Sequence, residues 1–388
     1  MIKLHWNKKK VNFVSLVWSG TDTQCSREAT FSVLYNPYDK NFKNAGIKLG
    51  DLVQVFDGKK SIFTGIITDT EKTAAIGTKT YIARDFMHYL LRSITSRRFA
   101  NKTAEYITKQ VCTEAGVGCK NLAKTGVNIP KLIFDQQSVY DIMMRVYKKA
   151  SAQTKKKYMP VMDGKKVSVI IKGQDSGVTL DQSTDITDAT YHQTTDDMVN
   201  IVKIYNDKMT QIGQVKNDAN VKKYGIYQAA YTKEKGVDAK AEAKSLLTGV
   251  TREATVEAIG NIKAVSGKSI VIYDKATGIS GKFYITSDSH TFENGIHKMT
   301  LELAWKNTME SGAETESDAK STKKKTHSSS AVAYYLEGGT AYHSSTSCSV
   351  LDGKSPIRTT VSAVLKIVNK RGKNKGKPKY KKCAKCWR

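Results

Sequence analysis

The sequence predicts a mainly β chain with an α+β insert. It should contain two antiparallel β-barrels, a helical insert and a small separate module at the C-terminus. Three observations carry this expectation. Apolar residues alternate with polar ones, at the strand period of two, in residues 50–68 and again in 255–305. Between 103 and 151 the period lengthens to that of amphipathic helices. From 309 onward the apolar content falls and a Lys-rich, Cys-containing tail begins.

The most regular stretch runs from Thr255 to Trp305. Val256 and Ala258, Ile270 and Ile272, Phe283 and Ile285, and Met299, Leu301 and Leu303 each alternate with polar residues, while Gly260, Gly267, Gly278, Gly281 and Gly295 punctuate them. The same pattern occurs near the N-terminus. Val53 and Val55 fall on Ile270 and Ile272, Asp57 on Asp274, and Gly65 on Gly281 with a one-residue slip in the turn. Two copies of one barrel are therefore expected, with the two glycines equivalent.

Taken in order, residues 1–98 should form the first barrel, with Asp57-Gly58 as a hairpin turn. His88, among Tyr89, Leu90 and Leu91, reads as a histidine at the edge of a core. Residues 99–157 should form the helical insert. Thr103 caps a helix carrying Ala104, Ile107 and Val111 and stopping at Gly116. Ser138 and Asp141 resemble a capping box before the stripe Ile142, Met143, Val146, Tyr147 and Ala150. Cys112 and Cys119 lack metal-site spacing and read as buried thiols, and Cys25 stands alone. Residues 158–197 should be a strand segment that returns to the first barrel or connects the two. Its carboxylates Asp181, Asp185, Asp188, Asp196 and Asp197 match no calcium-loop spacing and read as a loop and strand edge. The second barrel is expected over 198–308, with Asp238 capping a short helix over Ala239–Leu247.

The quoted strands also carry a resemblance. GDLVQVFDGKKSIFTGIITDTE with ARDFMHYLLRS, then VKKYGIYQ, AKAEAKSLL and GKFYITSDSHTFENGIHKMTLEL, resemble the XkdQ/YqbQ-type proteins over roughly residues 1–308. These are central hub proteins of the baseplate in contractile phage tails and phage-tail-like, PBSX-type particles. The resemblance implies that the two barrels are tail-tube-like. It further implies a homotrimer: three chains with two barrels each would join a six-fold tail tube to a three-fold spike. The implied partners are the tail tube protein, the spike protein and other baseplate proteins. The chain would be a virion component of a contractile injection system, a phage or a tailocin, assembled in the bacterial cytoplasm and then resident in the baseplate.

No GxSxG, HExxH or P-loop occurs, and His290 in DSHTF makes no triad with its immediate neighbours, so a non-enzymatic protein is expected. MIKLHWNKKK lacks the apolar run of a signal peptide and no stretch is long enough to span a bilayer. A reducing compartment, no stable membrane insertion and no disulfide framework follow as expectations. The formal net charge is +27, with 13 Lys and 3 Arg against Glu337 and Asp352 in residues 321–388. Lys so far outnumbers Arg that specific nucleic-acid recognition is not expected. Two rival readings stay open at this point: a tail-associated peptidoglycan-processing enzyme, and a nucleic-acid-binding protein using the basic tail.

Residues 309–332 have linker composition and 333–388 form the final module. His343, Cys348, Cys383 and Cys386 follow the pattern H-x4-C-x34-C-x2-C, which suits a closed, structural Zn2+ site. The pattern is similar to the Ada-type metal-binding fold, from which the long basic run NKRGKNKGKPKYKK before Cys383 departs. A module this small has too little core to fold without such a staple.

Overall fold

The computed structural model describes residues 1–388 except 73–76, 235–236, 311–331, 345–347, 349, 352–355, 361–363, 366, 369–377, 384–385 and 387–388. Most of the expected linker, and the first nine residues of the basic run, thus lie outside the described residues. Two compact units emerge: Met1–Thr195 with Val250–Ser321, and Asp196–Gly249 with Thr322–Arg388. The chain is mainly antiparallel β, as its alternation predicts. Among the described residues no helix is long and apolar enough to cross a membrane.

The first unit is built on one 13-stranded sheet that serves two lobes. In the first lobe the sheet order is Ser15–Thr21, Glu28–Tyr35, Gly77–Asp85, Lys60–Glu71, Leu52–Asp57, Ile2–Trp6 and then Lys9–Val11. In the second it is Ile186–Thr194, Thr251–Ile259, Ile296–Ala304, Ile279–Glu293, Ser269–Asp274 and Asp175–Asp181. Strand for strand, the first six positions agree in both sheet order and chain order. A shared irregularity supports the match: pairing slips between Ile67 and Asp69 in one lobe and between Ile285 and Ser287 in the other. The lobes differ at one edge, where Ile2–Trp6 runs antiparallel to its neighbour and Asp175–Asp181 runs parallel.

Period-2 alternation gives each lobe a core of its own. Leu4, Leu16, Phe31, Val53, Val55, Phe63, Ile67 and Tyr81 are buried together in the first. Val178, Leu180, Val256, Ile270, Ile272, Phe283, Ile285 and Leu301 are buried in the second. Each such side chain contributes about 1.5–3 kcal/mol on burial, so the alternation that marks the strands also supplies their stability.

Two expectations need correction. Residues 175–181 and 186–194, expected to return to the first barrel or connect, are the opening strands of the second lobe, while 196–249 lie in the other unit. That segment interrupts the second lobe where the first has only the turn at 22–27. The glycines are not equivalent either. Gly65 faces Val53 in its ladder, whereas Gly281 faces Ile272, the counterpart of Val55. Phe63-x-Gly65 in one hairpin corresponds to Gly281-x-Phe283 in the other, so ring and glycine have exchanged places.

Between the lobes lies the helical module. Thr103 accepts a hydrogen bond from the Tyr106 backbone and caps the helix Ala104–Glu114. Ser138 accepts from the Asp141 backbone at 3.0 Å and caps Val139–Thr154. Both helices turn their apolar stripes into one core holding Ile107, Val111, Ile142, Met143, Val146 and Tyr158. Cys112 is buried there and Cys119 packs against it.

In the second unit, Ile201–Tyr205 pairs with Gln211–Lys216 and Gln228–Thr232. The helix Ala239–Ser245 is capped by Asp238, as its sequence predicts, and buries Ala243 against Val202, Ile204 and Val215. A separate four-stranded sheet near the C-terminus has the order Ile357–Thr360, Val332–Tyr335, Ala341–His343, Lys381–Lys382.

Candidate metal centre

The C-terminal sheet brings distant residues to one point. His343 ends the strand Ala341–His343, and Cys383 follows the short strand Lys381–Lys382 laid parallel to it. The Cys383 backbone N–H donates to the Tyr342 carbonyl at 2.9 Å, which fixes the two ligand-bearing ends side by side. Below them, Ala333, Tyr342, Val364 and Tyr380 form a small core, with the Tyr335 and Tyr380 rings meeting edge to face at 4.9 Å. Cys348 and Cys383 are buried with Leu351 in a second small cluster.

The ligand atoms of His343, Cys348, Cys383 and Cys386 all lie within 4.8 Å of one another. His343 Nδ1 is 3.3 Å from Cys348 Sγ and 3.5 Å from Cys386 Sγ, and Cys348 Sγ is 3.9 Å from Cys383 Sγ. A tetrahedral zinc with ordinary bond lengths sets its ligand atoms roughly 3.5–3.8 Å apart. Three thiols and one imidazole at these separations are a donor set that fits one divalent, thiophilic cation. The sequence-predicted residues are thus all assembled, across a gap of 34 residues between Cys348 and Cys383.

Crowding also shapes the thiols. The Val350 backbone N–H favours the Cys348 thiolate, but burial and the adjacent Cys386 and Cys383 side chains outweigh it and raise the pKa. A bound cation would invert that balance and release protons, as thiolate ligation requires.

A second polar cluster lies in the first unit, at the junction of the two lobes, and sequence reasoning missed it. The C-terminal half of the strand Ile279–Glu293 pairs with Ser15–Thr21, from Ser287 opposite Thr21 to Glu293 opposite Ser15. Asp288 lies there fully buried and accepts from both terminal guanidinium nitrogens of Arg27, with Nη1 at 3.0 Å, and from the Ser266 backbone N–H at 2.6 Å. Gly20 stands opposite Asp288, and a side chain there would strike the Arg27 guanidinium at 2.6 Å. Arg27 also covers the Trp18 ring at 4.0 Å. His290 shares the face of Asp288, meets the Ala264 carbonyl at 3.1 Å through Nε2, and approaches His297 at 3.1 Å through Nδ1. Nearby, buried Lys172 binds the Asp22 carboxylate and the Thr308 carbonyl, the latter at 2.7 Å. The charged groups here are paired with one another or with backbone, although the buried Trp18 Nε1 and Arg27 Nε find no hydrogen-bond acceptor. No local motif signals Arg27 and Asp288, since 261 residues separate them.

The remaining sequence candidates are structural. Asp181 and Asp185 cap their own turn, accepting from Ser183 and Thr184. His88 is half-buried, and burial, with Arg92 and Arg84 nearby, depresses its pKa. Cys25 is buried, and the Tyr140 hydroxyl reaches its sulfur at 3.3 Å.

Comparison with known proteins agrees with this division of the chain. The YQBQ-like family matches residues 16–304, which cover the first lobe from Leu16 onward, the helical module and the second lobe, and stop short of the metal centre. The protein YqbQ of Bacillus subtilis strain 168 is 25% identical over 318 residues, covering 79% of this chain and 96% of its own. The phage-like element PBSX protein XkdQ of the same organism is 24% identical over 321 residues, with the same coverage. Among solved structures, the prophage MuSo2 43 kDa tail protein from Shewanella oneidensis shares the fold. Its TM-score is 0.61 at 13% identity, over 78% of this chain and 97% of that one. With two matched lobes, the intervening helical module and a family match across most of its length, the chain belongs to the YQBQ-like family.

Proposed function

We propose that the chain is a structural hub of a baseplate, in a contractile phage tail or a tail-like particle. Three copies would form a ring whose six similar lobes meet a six-fold tail tube, while the three-fold face of the ring meets the spike. The observation that carries this reading is the duplication: six strands in the same sheet order and chain order, occurring twice in one chain. Duplication lets a three-fold assembly offer six near-identical surfaces. Membership in the YQBQ-like family and the likeness to a PBSX protein and a prophage tail protein support the same reading. Assembly in the bacterial cytoplasm and residence in the baseplate follow from it.

The role is mechanical, not catalytic. Asp288 is paired with Arg27, and His290 lies between Asp288 and the Ala264 carbonyl, which supports a joint in preference to an active site. Incubating the full chain with purified cell walls should release no muropeptides; release would overturn the structural reading in favour of a peptidoglycan-processing enzyme.

The C-terminal module is read as a zinc-stapled appendage. His343, Cys348, Cys383 and Cys386 would hold one structural Zn2+, and the separations among their ligand atoms support that assignment. Binding of generic DNA that weakens steeply with salt would instead favour the nucleic-acid reading of this basic module.

A further inference from the structure

Cys112 and Cys119 stand on either side of a chain reversal in the helical module. The helix Ala104–Glu114 carries Cys112 in its last turn, and the strand Cys119–Leu122 begins with the other thiol. Gly116, with a φ of +73, turns the chain back, and the Val117 N–H donates to the Cys112 carbonyl at 2.9 Å. The reversal lays the two side chains together, so that the Cys112 S–H donates to the Cys119 sulfur. Cys112 is fully buried, with its sulfur 3.4 Å from Met143 Sδ, whereas Cys119 is only partly covered. The hydrogen bond from Cys112, aided by the charge of Lys109, lowers the Cys119 pKa in spite of partial burial. The same hydrogen bond, and then burial, raise that of Cys112. One thiol is therefore an accessible nucleophile, and the other is a covered reserve behind it. Cys25 makes the contrast: burial pushes its thiol up to about 12, with the Tyr140 hydroxyl against the sulfur.

We propose that Cys112 and Cys119 form a thiol–disulfide site, closed by small-molecule disulfides such as oxidised glutathione. The Cys119 thiolate attacks one sulfur of the reagent, forming a mixed disulfide and expelling one glutathione thiolate. Cys112 then loses its proton and attacks the Cys119 sulfur, expelling the second glutathione thiolate. Both protein thiols are oxidised, the glutathione disulfide is reduced, and the two thiol protons end on the two glutathione molecules released. The new bond ties down a lightly held strand. Cys119–Leu122 ends its three-stranded sheet and pairs with Lys166–Ile171 at Val167 and Val169, with a slip between them. A covalent link from that strand to the helix end restricts how far the edge can open. A reducing cytoplasm would keep the pair open, and the oxidising medium outside a cell would close it. Neither the geometry nor the chemistry depends on the hub reading.

The test incubates the freshly reduced full chain with oxidised glutathione at neutral pH and maps its thiols by mass spectrometry. Tryptic cleavage after Lys109 and Lys120 releases Gln110–Lys120, which holds both cysteines. That peptide should lose two hydrogens and resist alkylation, while Cys25 keeps its thiol. Amide exchange over residues 117–122 should slow about ten-fold on oxidation and recover with dithiothreitol. Cys112→Ser should trap Cys119 as a lasting glutathione adduct, and Cys119→Ser should leave Cys112 reduced. The mapping of the parent chain decides the site even where a variant fails to fold. Both thiols left open to alkylation in the folded chain, by oxidant that closes the pair once urea unfolds it, would overturn the proposal. A bond from Cys119 to a different cysteine, or glutathione on Cys112 in Cys119→Ser, would also overturn it. Exchange that ignores oxidation would remove the tying of the strand. None of these outcomes touches the hub reading, and loss of that reading leaves the thiol pair in place.

Discussion

Arg27 and Asp288 meet across the strand pair that joins the two lobes, with Arg27 Nη1 donating to Asp288 Oδ1 at 3.0 Å. Burial alone would push the Asp288 carboxyl up, yet the Arg27 and His290 charges hold it well below the usual carboxylate range. Removing the guanidinium leaves a buried carboxylate without its main countercharge, held only by the Ser266 N–H and His290. Arg27→Ala should therefore cost about 3–5 kcal/mol in urea unfolding. The double variant Arg27→Met with Asp288→Leu should recover much of that loss. Because the folded pKa is depressed, the pair's stabilisation is present above about pH 4, the ordinary carboxylate value, and is lost as pH falls below it.

His297 sets a second acid-sensitive window. Burial, reinforced by the neighbouring His290, lowers its pKa to about 4 from the ordinary 6.5. Its folded state thus resists protonation, so its contribution is full above pH 6.5 and is lost progressively as pH falls through 4. Half exposed as it is, the loss should be about 1–2 kcal/mol after screening. Thermal melts of the parent chain and His297→Gln between pH 7 and pH 4 check this. The variant should show a shallower decline.

The two hairpin glycines should respond differently to the same change. A Cβ at Gly65 would lie 2.5 Å from the Arg84 carbonyl and 2.5 Å from the Phe63 ring, so Gly65→Ala should cost about 1–3 kcal/mol by overpacking. Trimming the ring with Phe63→Leu should relieve part of that. Gly281 has a φ of +116 and no atom within 4 Å of the same position. Gly281→Ala should cost about 1–3 kcal/mol through backbone strain, with no neighbouring truncation able to rescue it. Denaturant titration of Gly65→Ala, of Gly65→Ala with Phe63→Leu, and of Gly281→Ala separates these causes.

Those glycines also show where the sequence is legible and where it is not. Alternation placed Val53 on Ile270 and Val55 on Ile272 correctly, because burial on one face forces the period. Aligning Gly65 with Gly281 failed because glycine reports a local constraint, and the two constraints differ: close approach at one, positive φ at the other. The helix caps Thr103, Ser138 and Asp238 were readable, since capping is local in sequence. The opening strands of the second lobe were not. Residues 186–194 are half-exposed and polar, so they give no core signal, and the 196–249 insertion separates them from their partners. The metal ligands stood out because few other roles use that residue set at that spacing. Arg27 and Asp288 carry no such mark.

Zinc should behave as part of the fold of the C-terminal module. Elemental analysis of the full chain should give about one zinc per chain, and Cys383→Ser should abolish it. Metal removal should unfold residues 333–388 while the main thermal transition of the lobes stays in place, since in so small a module the binding free energy, on the order of 10 kcal/mol, is the folding free energy. Zinc affinity should rise with pH as the three thiols ionise. Stoichiometric zinc that survives Cys383→Ser would refute the assignment.

The duplication has its most direct consequence in the assembled particle. A three-dimensional reconstruction of the baseplate should find three copies of this chain in one ring at the end of the tail tube. The lobe containing Leu52–Asp57 and the lobe containing Ser269–Asp274 should alternate around six near-equivalent positions. Six copies in the ring, or a ring in which only one lobe of each chain faces the tube, would contradict the hub.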